Sequence, residues 1–352
     1  FKFLYFQQDK QTDESWYYTR IEFPHGRHTI KNTFSGGQVA TASEFKKRLL
    51  SIAPGALYTG NSVQLNWLVK HYLDNIKIVE TTDFIGYSKE HGVYVFNDRA
   101  VSAGKVIEIN DEDFFEVGKT SIKSLNQSLN LHIGDATDYN DKWADMVYSA
   151  YGAKGLIATA FFMGSLFAEQ IRAKQKSFPF LEIVGEAGAG KSTLIEFLWK
   201  LVGRSDYEGF DPNKSTLAAR ARIFSQVSNL PICLIESDRE DSTKAKQFDW
   251  DELKTAYNGR ASRARGVKNG GNETSEPPFR GSVVISQNAA VNASEAIMQR
   301  IIHTTFDTSG HTPASKGAAD ALSAIPVEHV SFFLIKAVTR EKQVLDMVFN
   351  RT

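Results

Sequence analysis

The chain has 352 residues, and its 41 Lys+Arg balance its 41 Asp+Glu, so the formal net charge is zero. This length predicts two domains, and 42% hydrophobic with 23% charged residues is average for a soluble globular protein. The zero balance excludes attraction of a whole basic surface to nucleic acid, which would need a local basic patch or a ring of subunits; the single cysteine, Cys233, excludes a disulfide framework and a cysteine zinc site within one chain.

The amino-terminal part is rich in aromatic and β-branched residues. FKFLYFQQ, SWYYTRIEF and HTIKNTF read as strands. TASEFKKRLLSIA reads as a helix with Thr41 and Glu44 as a capping box, and NSVQLNWLVKHYLDNI as a second helix capped by Asn61. KIVETTD, FIGYS and VYVFND follow as strands, the last two joined by the hairpin KEHG, and VIEIN adds another. Trp16, Tyr17, Tyr18 and Trp67 read either as core or as stacking surfaces for bases. The polar stretch GDATDYND marks a boundary near residue 138. KWADMVYSAYG and KGLIATAFFMGSLFAEQIRAK are helical runs. The apolar segment Gly155 to Ala168 is too short to span a bilayer and reads as a buried helix. From FLEIV onward strands and helices alternate: the Lys191 helix, AARARIFSQV, PICLIES, FDWDELKTAY and RGSVVISQN. TSGHTPASKG reads as a loop, and a helical stretch from about Val327 to Val348 closes the chain. The expected organisation is an α+β domain over 1–137, a helical linker or subdomain over 138–176 and an α/β domain over 177–352. The chain opens at Phe1, without a methionine and directly in a strand pattern, as a fragment or processed product would; no signal peptide is visible.

The stretch LEIVGEAGAGKST carries the chemistry. Gly185, Gly190, Lys191 and Ser192 fit G-x-x-x-x-G-K-[ST], between a strand and a helix as that motif requires. The glycines let the backbone turn its N–H groups toward phosphate oxygens, and the helix adds its positive end. The expected ATP-contacting set is Gly185, Glu186, Ala187, Gly188, Ala189, Gly190, Lys191, Ser192 and Thr193, with Lys191 on the β and γ phosphates and Ser192 on Mg²⁺. A P-loop enzyme also needs an acid at a neighbouring strand end, to handle Mg²⁺ and the attacking water. LPICLIESD supplies Glu236 for Mg²⁺ and the attacking water, with Asp238 as helper, unless these acids merely begin a solvated loop. RGSVVISQN ends in Asn288, a candidate contact to the γ phosphate or the water. Lys254, Arg260, Arg263, Arg265 and Lys268 lead into the turn-forming Asn-Gly-Gly-Asn; a hairpin or loop there would offer charge to phosphates, or pair with Asp249, Asp251 and Glu252. The eight histidines show no ligand spacing.

In this order, the P-loop, LIESD, DELKTAYNGRASRARGVKNGG, VVISQNA and EAIMQRIIHTTF resemble superfamily 3 helicases of the AAA+ ATPases, most closely the ATPase modules of phage and mobile-element primase-helicases. The resemblance covers about Phe180 to Phe306. It implies a P-loop AAA+ domain, a hexameric ring, DNA replication and a cytoplasmic setting in a bacterium or phage-infected host. It also implies that Arg263, Arg265 and Lys268 grip single-stranded DNA in a pore, and that Arg300 serves the ATP site of the adjacent subunit; Arg220 and Arg222 are alternatives for that role, and pairing with Glu295 is the bland one. An upstream primase domain or partner is compatible. Two other functions stay open from the residues alone: a P-loop small-molecule or nucleotide kinase, and an NTP-gated DNA-binding oligomer, an initiator or defence protein, that unwinds nothing.

Overall fold

Apolar alternation at the amino terminus builds a sheet. β1 (Lys2–Gln8) pairs antiparallel with β2 (Ser15–Ile21), and β2 with β3 (Ile30–Phe34). The computed structural model describes residues 1–9, 15–23, 28–205, 209–235, 248–260, 265–266, 274–275 and 277–350. A short helix outside the sequence-based expectation, α1 (Gly36–Ala40), forms because Ser35 and Gln38 close a capping box. In α2 (Ala42–Ile52) only half of the expected box exists: Thr41 accepts from the Glu44 N–H, while the Glu44 carboxylate pairs with Lys47. α3 (Ser62–Leu73) carries a full box between Asn61 and Gln64. β4 (Lys77–Thr82) follows, then β5 (Ile85–Ser88), β6 (Val93–Val95), β7 (Arg99–Ser102) and β8 (Lys105–Glu108), with the expected hairpin between β5 and β6. β9 (Phe115–Val117) and β10 (Thr120–Ser124) complete a six-stranded sheet in the order β3-β2-β1-β4-β10-β9.

The second half starts with α4 (Trp143–Ser165), kinked at Gly152 (φ 58°, ψ −145°), and α5 (Ala168–Gln175). The apolar run expected as one buried helix is thus broken at Leu166–Phe167, where the two helices bend by 83°; Phe161, Phe162, Leu166 and Phe167 are buried. Among the described residues no single helix is long and apolar enough to cross a membrane. Then come β11 (Phe180–Gly185), α6 (Lys191–Leu201), α7 (Leu217–Ser225), β12 (Val227–Ser228) and β13 (Pro231–Ile235). A 3₁₀ turn at Trp250–Leu253 runs into α8 (Lys254–Tyr257), and β14 (Arg265–Gly266) pairs antiparallel with β15 (Thr274–Ser275). β16 (Ser282–Gln287), α9 (Glu295–Met298) and β17 (Ile301–Phe306) precede three helices, α10 (Pro313–Ala324), α11 (Phe332–Val338) and α12 (Glu341–Phe349). The stretch TSGHTPASKG is not all loop: Thr312 and Ser315 form a capping box with Pro313 in the first turn, so α10 starts inside it.

The chain is a mixed α/β protein of two compact units, Phe1–Thr82 with Ile107–Leu125, and Asp83–Val106 with Asn126–Thr352. This division differs from an α+β domain over 1–137, because β5 pairs parallel with β12 and the His132 N–H donates to the Gly203 carbonyl at 2.7 Å. The first unit packs Phe3, Ile21, Phe34, Phe45 and Leu65 into its core. In the second, a parallel sheet in the order β13-β16-β11-β17 lies in a core that includes Phe180, Leu194, Trp199, Val284 and Leu334.

Candidate functional site

All six residues of β11 are buried, as an apolar strand between two parallel neighbours must be. It ends at Gly185 with φ 152°, where a Cβ would lie 1.9 Å from the Phe306 carbonyl oxygen; no other residue fits this exit. Gly188 (φ 80°) and Gly190 (φ 84°) take left-handed conformations, and Gly190 caps α6. The loop therefore delivers the free N–H groups of a helix start, with their partial positive charge, at the carboxyl edge of the sheet. Lys191, the first helical residue, folds back over it. Its Nζ donates to the carbonyls of Gly185 (2.6 Å) and Glu186 (2.8 Å) and to Oδ1 of Asn288 (3.1 Å). Burial lowers the pKa of this ammonium. Glu186 turns away: its carboxylate accepts from the Thr308 hydroxyl at 2.6 Å and the Thr308 N–H at 2.8 Å, and these bonds hold its pKa below the usual value.

The strand order decides what faces the loop. β16 lies between β11 and β13, so Asn288, one residue beyond β16, comes to Lys191 across 97 positions of sequence. Residues 187–193 together with Ile235, Ser286, Gln287 and Asn288 line a cleft of about 530 Å³, within the ordinary range for small-molecule sites. Two left-handed glycines, a helix start and a lysine form a donor set whose chemistry suits an anion such as phosphate. Ser192 is exposed and lines the cleft, with Thr193 beside it. β13 ends at Ile235 on the cleft wall; Glu236 and Asp238 lie outside the described residues. Among the described residues no group of three or more His, Cys, Asp or Glu could hold a metal ion. An Mg²⁺ held by Ser192, phosphate oxygens and water would not need one.

Other predicted residues sit elsewhere. Arg300 precedes β17 at the opposite, amino edge of the sheet, where its carbonyl accepts from the Phe180 N–H. Its guanidinium donates to the Lys254 carbonyl at 2.9 Å and lies over the Tyr257 ring, not on Glu295. Arg220 is engaged inside the chain, its Nη2 donating to both Glu252 carboxylate oxygens at 2.9 and 3.0 Å and its Nη1 to the Pro212 and Ser215 carbonyls; Arg222 is exposed. In the basic segment Lys254 pairs with Asp251 at 2.7 Å. The backbone of Arg265 belongs to the β14–β15 ladder, and Arg263 and Lys268 lie outside the described residues. Of the aromatic candidates, Tyr17 and Tyr18 pack on Phe3, Phe6 and Tyr5, whereas Trp67 is exposed and stacks on His71.

A further polar residue, marked by no sequence motif, is Glu182 in the middle of β11. It is fully buried, and its Oε1 accepts from Gln287 Nε2 (3.2 Å) and the Val291 N–H (2.5 Å), while Oε2 lies 2.5 Å from Nδ1 of His303. The available signal was a lone charge inside an otherwise apolar strand, FLEIVG.

No protein-family model and no curated protein sequence matches the chain. Among solved structures it is similar to the C-terminal region of NrS-1 in its apo A form, at 9% identity over 95% of this chain and 67% of that one, with a TM-score of 0.44. A second NrS-1 structure gives 9%, 97% and 71%, with a TM-score of 0.42. JCV helicase is similar at 11% identity over 58% of this chain and 65% of that one, with a TM-score of 0.28. Superpositions this loose carry no functional weight, so function has to be read from the site's own geometry.

Proposed function

We propose that the chain is an ATP-dependent DNA helicase or translocase, working as a ring, by its sequence resemblance a hexamer, in phage or mobile-element replication. The observation that supports it most is the meeting of Lys191 with Asn288 over a loop of left-handed glycines. In this reading the loop N–H groups bind the β and γ phosphates, and Lys191 exchanges its carbonyl partners for phosphate oxygens. Asn288 then contacts the γ phosphate or orients the attacking water. Ser192 and Glu236 hold Mg²⁺, which would neutralise phosphate charge, and Asp238 assists. Arg300 stands too far from the loop of its own chain to serve it, since the six residues of β17 span about 20 Å. Its role here is at a neighbouring copy's site. Arg263, Arg265 and Lys268 would hold single-stranded DNA through phosphate contacts, which give affinity without base preference.

The test is the ATP turnover of the chain with and without single-stranded DNA, alongside mass by light scattering. A ring helicase shows turnover that rises with DNA and with assembly. Turnover by a monomer that passes phosphate to an acceptor would replace this reading by a kinase; assembly on DNA without strand displacement would replace it by a non-unwinding oligomer. Lys191→Ala is expected to lower turnover at least about 100-fold, because it removes the charge paired to the transferred phosphate. Its melting curve should stay close to that of wild type. Wild-type turnover in this variant would remove the loop from the mechanism.

A further inference from the structure

A buried carboxylate is expensive unless it is paired and fully hydrogen-bonded, and even then it is weak evidence of stabilisation, since an apolar side chain of similar volume would serve the core as well. Glu182 is such a group. Its lateral neighbours are Ile285 on β16 and His303 on β17, so it sits in the centre of the parallel sheet. The groups that reach its Oε1 are both donors, and they come from the two ends of one short excursion. Gln287 and Val291 are buried; Asn288, Ala289 and Ala290 between them are exposed. The loop that carries Asn288 therefore stands with both feet on one carboxylate oxygen. From the other side His303, 39% exposed at its side chain, meets Oε2, and the Thr304 hydroxyl donates to the Glu182 carbonyl at 2.5 Å. One side chain thus ties the outer strand β17 to the corner that faces Lys191.

We infer that Glu182 is a positioning residue of the proposed reaction, holding loop 288–290 so that Asn288 stands opposite Lys191, with His303 bracing the carboxylate from the edge of the sheet. The inference rests on the proposed ATP site. It explains why an acid occupies a strand whose every other side chain is apolar or absent: backbone N–H and amide donors that close a loop over a sheet need a buried acceptor, and no apolar residue supplies one. Glu182 touches no substrate atom. It acts through Asn288, so its loss should appear in the chemical step and leave nucleotide affinity nearly unchanged.

The experiment is a double-mutant cycle on the full chain with ATP, Mg²⁺ and single-stranded DNA, reading kcat, KM and ADP affinity. Glu182→Ala is expected to lower kcat about 10- to 100-fold, the scale of a 1 Å misplacement, with KM and ADP affinity within about threefold of wild type. Glu182→Gln keeps an acceptor oxygen for both feet of the loop and should stay within about threefold in kcat. On an Asn288→Ala background Glu182→Ala should cost less than about twofold more, because the residue it positions is gone. If Glu182→Ala does not fold, Gln287→Leu removes one foot without a buried vacancy and enters the same cycle. Independent, multiplying losses, or an unchanged kcat in an active wild-type background, overturn this inference alone. A wild-type chain that turns over no ATP overturns the proposed function and this inference with it.

Discussion

Tyr151 sets an edge of its ring against the loop: a Cβ added at Gly190 would lie 3.2 Å from its Cε1. Its hydroxyl is shielded from water and has no hydrogen-bond partner among the described residues, and burial pushes its pKa up to about 12. An orphaned hydroxyl costs roughly 1–3 kcal/mol. Tyr151→Phe should therefore stabilise the nucleotide-free chain by about 1 kcal/mol, as measured by urea unfolding at neutral pH; a loss of stability would reveal a partner for the hydroxyl. At this scale the sequence was informative wherever a residue type has few uses. Glycines spaced before Lys191 pointed to a tightly turned loop, and a polar residue just past a strand end made Asn288 a candidate. Glu182 was not legible, because its purpose lies in donors 105 and 109 positions away.

Among the elements, the first unit holds a cluster whose titration is informative. Lys123 on β10 lies over the Tyr18 ring at 3.7 Å and donates to the Tyr5 hydroxyl at 3.1 Å. Burial pulls its pKa from 10.5 down to about 8, while burial pushes Tyr5 and Tyr18 above their usual 10.0. Below pH 8 the lysine is charged in the folded and the unfolded chain alike. Between pH 8 and 10.5 the unfolded chain binds a proton that the folded chain has released, so stability rises with pH. From pH 10 upward the unfolded tyrosines lose protons that the folded ones retain, so stability falls. Stability of this unit is expected to peak near pH 10, and Lys123→Met should remove the rise and leave the fall; urea melts of both proteins from pH 7 to 11 check this. Elements with a strong period or cap, such as β1, β2, α3 and α6, were legible. α1 and the start of α10 were not, because Ser35 and Thr312 lie in stretches whose glycine and proline content reads as loop until the cap geometry is known.

Over the whole molecule, the residues proposed to act on one ATP lie at opposite edges of a single sheet. Lys191 follows the carboxyl end of β11, and Arg300 precedes the amino end of β17, the strand paired with it. In the proposed reading, Arg300 therefore acts at the site of another copy. Arg300→Ala and Lys191→Ala proteins should then each be inactive, and mixing them should restore part of the turnover, since some interfaces combine an intact loop with an intact arginine. Turnover per chain should also fall steeply on dilution. Absence of recovery at concentrations where light scattering shows mixed assemblies would assign Arg300 to its local contacts with Lys254 and Tyr257.

By itself the sequence determined the glycine loop, the strand and helix that flank it, and most elements with a clear period, because these depend on backbone preferences and side-chain spacing within a few residues. Only the tertiary structure decided that β16 lies between β11 and β13, that Asn288 therefore meets Lys191, that Glu182 is a clamp, and that residues 83–106 pack with the second unit. Lateral order in a parallel sheet is set by crossovers and by packing between segments about a hundred residues apart, and no local pattern records which strand becomes whose neighbour.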